Sequence, residues 1–333
     1  MVSAVIFVAT SCVSPLTGFA FWETNLAYEG ECIYNYLQVK NLSDRTILST
    51  NVLFGVQSVT MKDKGLTGMY YDTALAAPAL ADNANSALIL GMGTGTYARQ
   101  LKQYYPKMNI TGVEIDQKIT DLAGEYFDEP ADIPVTTYDG RAWLAASHDK
   151  YDVIMVDAYQ DITIPFQMSS TEFFTMVREH LNPGGVMVVN MNMISDGQGS
   201  INEALSDTIA SVFGNGNTLT ADVPNTTNRE LFAKKPGSGS EENSMQQASK
   251  ALNLRETTYE RTGSEDLEWY MEEVASRFRK VNEPDSASTI LTDDKAPVEV
   301  LGMHAIDQII ADEAGPYRQI LKDEGFGGLL RAV

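Results

Sequence analysis

Cysteine and histidine are scarce in this chain. Two cysteines in 333 residues, Cys12 and Cys32, cannot form a disulfide framework. Three scattered histidines, His148, His180 and His304, show no metal-ligand spacing. A reducing, cytoplasmic setting and a site without metal are therefore expected. Basic residues are also in deficit. Against 45 Asp and Glu stand 24 Lys and Arg, a formal charge of −21, which repels phosphate backbones and favours small cations by the same field. Nucleic acid is not an expected partner, although such a charge also reads as mere solubilising surface. Long apolar runs are missing except at the start. Residues 1–22 carry no charge, enough for one membrane span of roughly 20 residues, but they lack the basic opening of a secretory signal. A membrane anchor, with membrane association through it, the end of a larger membrane domain, and a buried N-terminal segment stand as alternatives.

What is present is globular in character, with 44% hydrophobic residues. From Tyr34 to Thr60, short alternating runs of Tyr, Val, Ile and Leu are broken at Asn41–Asp44 and Gly55, the pattern of hairpins. The segmentation predicts a small β unit over 23–71 and a main domain over 72–333, with a helical extension at its C-terminal end. A helix is predicted over 72–81, and beyond it strands alternate with helices, the mark of an α/β domain with a parallel sheet. Predicted strands are Ala87–Leu90, Ile110–Ile115, Val135–Tyr138, Tyr151–Val156 and Val186–Asn190. Thr218–Val223 and Glu230–Lys235 are predicted as an antiparallel pair. The helix before Val186 opens with Ser169 and Glu172 in capping-box spacing and stops at Asn182-Pro183-Gly184-Gly185. KPGSGSEENS (235–244) reads as a flexible loop. Leu267, Tyr270, Met271, Val274 and Phe278 share one helical face.

Chemistry concentrates at the ends of the predicted strands. Gly91-Met92-Gly93-Thr94-Gly95 follows a strand and opens a helix, where absent side chains let a nucleoside lie close to the backbone. Glu114 ends the next strand, 19 residues beyond Gly95, where an acid accepts hydrogen bonds from ribose hydroxyls. Asp139, followed by Gly140, ends the third strand, and Asp157 the fourth. Ligands of open α/β sheets gather at the carboxyl ends of strands, so these three carboxylates are expected to face one crevice. Taken singly, each aspartate reads equally well as a helix cap or turn former.

On these motifs the chain resembles the spermidine synthase, or polyamine aminopropyltransferase, family, of the bacterial type often fused to membrane domains. The likeness rests on Tyr34-Asn35, Gly55-Val56-Gln57, Tyr70-Tyr71-Asp72, GMGTGT (91–96), VEID (113–116), YDG (138–140) and DAYQD (157–161), in order over about residues 30–235. Thr292-Asp293-Asp294-Lys295-Ala296-Pro297 adds to it. The resemblance implies a Rossmann-like sheet of the S-adenosylmethionine-dependent methyltransferase type with a small N-terminal β-hairpin unit. It implies transfer of the aminopropyl group of decarboxylated S-adenosylmethionine to a polyamine such as putrescine, without metal, and by analogy a homodimer paired through the β unit. Carried over residue by residue, Gly91, Gly93, Thr94, Gly95, Gln57 and Gly140 line the cofactor side. Glu114 takes the ribose and Asp139 the adenine amino group. Tyr70, Tyr71, Gln160 and Asp161 line the amine side, and Asp157, with Tyr159 as a relay, is catalytic.

Four departures stand out. Thr94 and Gln160 replace acids, Asn35 replaces a glutamine and Tyr71 a histidine, while Asp72 and Asp161 are candidates to restore charge. Losing the acid at Thr94 lessens the repulsion that would exclude ordinary S-adenosylmethionine. An S-adenosylmethionine-dependent methyltransferase and a non-catalytic adenosyl-ligand-binding domain are thus the alternatives.

Overall fold

The structure is a computed structural model that describes residues 20, 23–51, 55–128, 130–159, 164–192, 199–237, 244–286, 288–304 and 322. The apolar segment 1–22 therefore lies outside the described residues except for Ala20. Among the described residues no helix is long and apolar enough to cross a membrane.

Two sheets organise the chain. Strands β1 (Leu26–Glu31), β2 (Tyr36–Asn41), β3 (Arg45–Thr50) and β4 (Ser58–Met61) form a four-stranded antiparallel meander. The larger sheet contains β5 (Ser86–Leu90), β6 (Asn109–Glu114), β7 (Val135–Thr137), β8 (Tyr151–Val156), β9 (Leu181–Met191), β10 (Thr218–Asp222), β11 (Arg229–Lys234) and β12 (Phe278–Lys280). Their spatial order is β12-β10-β11-β9-β8-β5-β6-β7. The run from β7 to β9 is parallel, whereas β11 is antiparallel to β9, and β10 to β11. Because the chain leaves β5 first towards β6 and later returns to β8 on its other side, the strand order reverses at β5. A crevice opens at such a point beyond the carboxyl ends of the strands.

Both faces of this sheet are covered. Successive residues of a strand point to opposite faces, so Ile89 joins one core with Leu80, Leu101, Val188, Phe232 and Met271, while Leu88 and Leu90 join the other with Phe173, Phe174, Val189 and Leu231. The covering helices are α1 (Tyr70–Ala74), α2 (Ala76–Leu80), α3 (Thr96–Tyr104), α4 (Gln117–Tyr126), α5 (Gly140–Ala146), α6 (Thr171–His180), α7 (Ile201–Phe213), α8 (Ser244–Ala248), α9 (Ala251–Thr262) and α10 (Glu265–Arg277). Their starts follow from local chemistry. Asp116, Ser170, Ser200 and Ser264 each accept a backbone N–H of the first turn of α4, α6, α7 and α10, satisfying donors the helix itself leaves open.

Several predicted boundaries move. The helix expected over 72–81 is two short ones, α1 and α2, with Pro78 in the first turn of α2, where its missing N–H is harmless. The cap of α6 is Ser170, which accepts from Phe173 N at 3.2 Å, and not Ser169, whose hydroxyl donates to Phe166 O. Glu172 accepts instead from Asp293 N. The helix ends at His180, ahead of Asn182-Pro183-Gly184-Gly185, and β9 begins at Leu181 rather than Val186, so this segment lies inside the start of the strand. Phe278 leaves the helical face of α10 to enter β12, where its ring meets Phe232 edge-on at 5.6 Å.

The small sheet packs on α4 through Leu37, Val39, Leu48, Ile119, Leu122 and Phe127. It is also locked to the turn after β5. Thr96 Oγ1 donates to Val59 O at 2.8 Å and accepts from Val59 N, and Arg99 reaches both Val59 O and Thr94 O. The crevice is thereby given a wall.

Candidate active site

The turn after β5 brings backbone where side chains would not fit. Gly91 has φ +88°, and a Cβ built on it would lie 2.4 Å from the carbonyl oxygen of Asp157, so only glycine lets β5 and β8 deliver their ends side by side. Gly93 has φ +57°, with Ser58 Oγ 2.8 Å from where its Cβ would be. Gly91 N and Met92 N both donate to Val113 O, tying the turn to β6. Gly95 precedes the first residue of α3. Between them Thr94 is fully buried, its N–H on Ser58 Oγ at 3.3 Å and its hydroxyl without a hydrogen-bond partner.

Glu114, at the end of β6, is buried and faces this turn. Its Oε2 accepts from Gly93 N at 2.8 Å and its Oε1 from Asp116 N at 3.0 Å. Burial raises its pKa while these N–H donors oppose the rise. Each oxygen keeps a second lone pair for a hydroxyl. Asp139 follows β7 and caps α5, accepting from Ala142 N at 2.8 Å, so its turn-forming role is realised in the fold. Gly140 is the first residue of that helix. Two exposed apolar side chains flank these acids, Ile115 at 42% and Tyr138 at 56% relative exposure.

Asp157, just after β8, is partly buried and held on both oxygens. Tyr70 Oη donates to Oδ2 at 2.7 Å, and Asn190 Nδ2 donates to Oδ1 at 2.9 Å. Burial pushes its pKa up to about 7, with the charge of Glu114 adding to the rise and the Asn190 and Tyr70 bonds opposing it. A carboxyl at this value exchanges a proton readily near neutrality. Tyr70 comes from α1 and stacks on Tyr71 at 4.0 Å between ring centroids. Burial raises the pKa of both phenols, so both remain protonated donors. Tyr71 Oη donates to Gln57 O at 2.8 Å, drawing the entry of β4 towards α1.

Glu114 and Asp157 thus stand beside the glycine turn, at the carboxyl ends of β6 and β8, the two strands that flank β5, with Asp139 after β7, one strand beyond β6. Other expected groups are placed elsewhere. The hydroxyl of Tyr159 donates to Asn190 O and accepts from Asn192 N, pinning the chain after β8 to β9; its contact with that carbonyl takes the proton a relay would need. Asp72 closes the turn before α1 by accepting from Thr67 N, Thr67 Oγ1 and Gly68 N, so it adds no charge to the crevice. Gln57 contributes its backbone carbonyl to the wall. Gln160 and Asp161 lie outside the described residues. Asn35 Nδ2 donates to Asp116 Oδ2 at 3.3 Å, linking the β1–β2 turn to the end of β6.

Two site residues escaped the sequence reading. Asn190 ends an apolar strand as Asp157 does, which is the signal that could have found it. Glu230 is a fully buried carboxyl in the strand RELFAK, where it points to the same face as Phe232 and Lys234. Among the described residues no group of His, Cys, Asp and Glu could hold a metal ion.

Comparison with known proteins agrees with this architecture. The model of the spermine/spermidine synthase domain matches residues 69–235. A protein of Bifidobacterium longum (strain NCC 2705), named a probable polyamine aminopropyl transferase, is 99% identical over 333 residues, covering 100% of this chain and 75% of its own length. A polyamine aminopropyltransferase of Corynebacterium efficiens is 37% identical over 131 residues, 36% of this chain and 25% of that protein. Among solved structures, a probable spermidine synthase from Corynebacterium glutamicum ATCC 13032 matches with a TM-score of 0.56 at 22% identity, covering 80% of this chain and 99% of that one. A spermidine synthase in complex with the transition state analogue AdoDATO matches at 0.53 and 19% identity, over 64% and 75% of the two chains. These two likenesses concern the fold, an α/β Rossmann-like sheet. With a family model over half of its length and a near-identical relative along all of it, the chain belongs to the spermine/spermidine synthase family.

Proposed function

We propose that this protein transfers the aminopropyl group of decarboxylated S-adenosylmethionine to a polyamine such as putrescine, with Asp157 as general base. The observation that carries the reading is Asp157 itself: a carboxyl at a strand end, aimed by Tyr70 and Asn190, with its pKa pushed up to about 7. An alkylammonium has a pKa near 10.4, so freeing its nitrogen at neutral pH costs about 4 to 5 kcal/mol. Proton transfer from such an ammonium to an ordinary aspartate costs about 9 kcal/mol, and raising Asp157 from 3.8 to about 7 lowers this by roughly 4 kcal/mol.

Glu114 accepts from the ribose hydroxyls, and the second oxygen of Asp139 from the adenine amino group, with the ring between Ile115 and Tyr138. Close backbone at Gly91 and Gly93 admits the nucleoside, and the unpartnered Thr94 hydroxyl meets its tail. Asp157 takes a proton from the bound ammonium. The freed nitrogen lone pair forms a bond to the carbon beside the sulfonium, the carbon–sulfur bond breaks, and methylthioadenosine leaves with that electron pair. Tyr70 and Asn190 keep the carboxyl in line throughout, and Tyr159 fixes the chain that bears it. The overall charge of −21 draws cationic amines towards the protein.

Incubation of the purified protein with putrescine and either decarboxylated or ordinary S-adenosylmethionine tests the reading. Methylthioadenosine from the decarboxylated compound is expected. Release of S-adenosylhomocysteine from the ordinary one, with no methylthioadenosine, would replace it by methyl transfer.

A further inference from the structure

Glu230 sits on β11 directly opposite Asn190 on β9 and Ala221 on β10. Paired residues share one face of a sheet, with Cα atoms about 5 Å apart. That face holds Val188 and Phe232 further along, so Glu230 continues an apolar core towards the strand ends. Asn190 in turn donates to Asp157. Through Asn190, Glu230 is therefore one residue removed from Asp157.

Among the described residues no group answers this carboxyl. Glu230 has no exposed surface, and neither oxygen has a hydrogen-bond partner. The cations of its own strand are engaged elsewhere: Arg229 points to the other face and pairs with Asp222, and Lys234 reaches Leu80 O and Asp82. Burial and the nearby charge of Asp157 raise its pKa well above the ordinary carboxyl range. A buried acid with nothing to bind is a standing cost to the fold, and alanine or valine would fill a core strand without it. Meanwhile Thr94 and Gln160 stand where the sequence resemblance expects acids.

We infer that Glu230 is a substrate-binding carboxylate that receives the second, non-reacting ammonium of a diamine whose first nitrogen lies at Asp157. This deepens the aminopropyl-transfer reading and rests on it. The specificity of the site then comes from the sheet wall, β11, and the acceptor is an amine with two cationic nitrogens.

Turnover of 1,4-diaminobutane and of n-butylamine by the wild type and Glu230→Gln tests this. The loss on the diamine is expected to exceed the loss on the monoamine by about 10- to 100-fold, as befits a charge-assisted hydrogen bond. Equal losses, or none, would overturn the inference. Glu230→Asp keeps the charge but retracts it by one methylene, so the preferred diamine in a series of three to six carbons should lengthen by one; an unmoved optimum would also overturn it. Calorimetric binding of both amines to the protein saturated with methylthioadenosine reads the same ratio without turnover. Absence of any turnover by the wild type would count against aminopropyl transfer, while this binding ratio still decides the role of Glu230.

Discussion

At neutral pH the carboxyl of Asp157 is close to half protonated, and that state has a consequence for the fold as well as the reaction. In the unfolded chain an aspartate titrates near 3.9, whereas burial lifts the folded value to about 7. Between these values the folded state binds more protons than the unfolded one, so stability falls as pH rises through the window and is lowest above about 7. Over that range the loss from Asp157 approaches about 4 kcal/mol, and Glu114, also raised by burial, acts with the same sign. Urea unfolding at pH 5 and pH 8 checks this: wild type should be less stable at pH 8, and Asp157→Asn should lose much of that difference. An unchanged pH dependence in the variant would show that Asp157 titrates normally. The acids at 114, 139 and 157 were legible in the sequence because each stands at, or just beyond, the carboxyl end of a predicted strand. The partners of Asp157 were not, because Tyr70 lies 87 residues away and Asn190 33 residues away, and only the sheet order brings them together. Glu230 was hidden because it stands at the start of a predicted strand beside Arg229, where a charged residue reads as a solvated strand end.

Among the elements, α6 shows how side chains fix a boundary. Ser170 accepts from Phe173 N and donates to Asp293 Oδ1 at 2.5 Å, and Asp293 in turn forms a bidentate pair with Arg141. The guanidinium beside Asp293 holds its carboxyl below the usual range. One serine thus starts a helix and anchors the Thr292–Pro297 segment against α5. Ser170→Ala is expected to reduce stability by about 1 to 2 kcal/mol, while Thr171→Ala, whose hydroxyl meets only the exposed Glu172, should stay within about 0.5 kcal/mol. Thermal unfolding of both variants separates them, and equal effects would deny Ser170 the cap. Sequence spacing gave Ser169 this role because Ser169 and Glu172 match a capping box; one residue of phase decides, and it is set by Leu291 O, which accepts from Thr171 N. Phe278 was likewise assigned to a helix on periodicity, although pairing of Ala221 with Phe278 pulls it into the sheet edge.

For the whole molecule, strand alternation with helices was enough to predict the parallel sheet, since buried strands such as YDVIMV are read without tertiary information. The site depends on more than that sheet. Val59, Thr96, Arg99 and Ser58 bind the small sheet to the glycine turn, and Tyr71 binds its edge to α1, so the crevice is closed by a wall from a different part of the chain. The account makes Asp157 the acceptor of a proton from the amine inside this crevice. Its most direct test is the pH dependence of aminopropyl transfer, followed as methylthioadenosine release at subsaturating diamine, in the wild type and in Asp157→Asn. The wild-type rate should fall about tenfold per pH unit below roughly pH 7, and the variant should be at least about 100-fold slower with no such acid limb. A variant that keeps a rate near that of the wild type, with the same limb, would contradict the account.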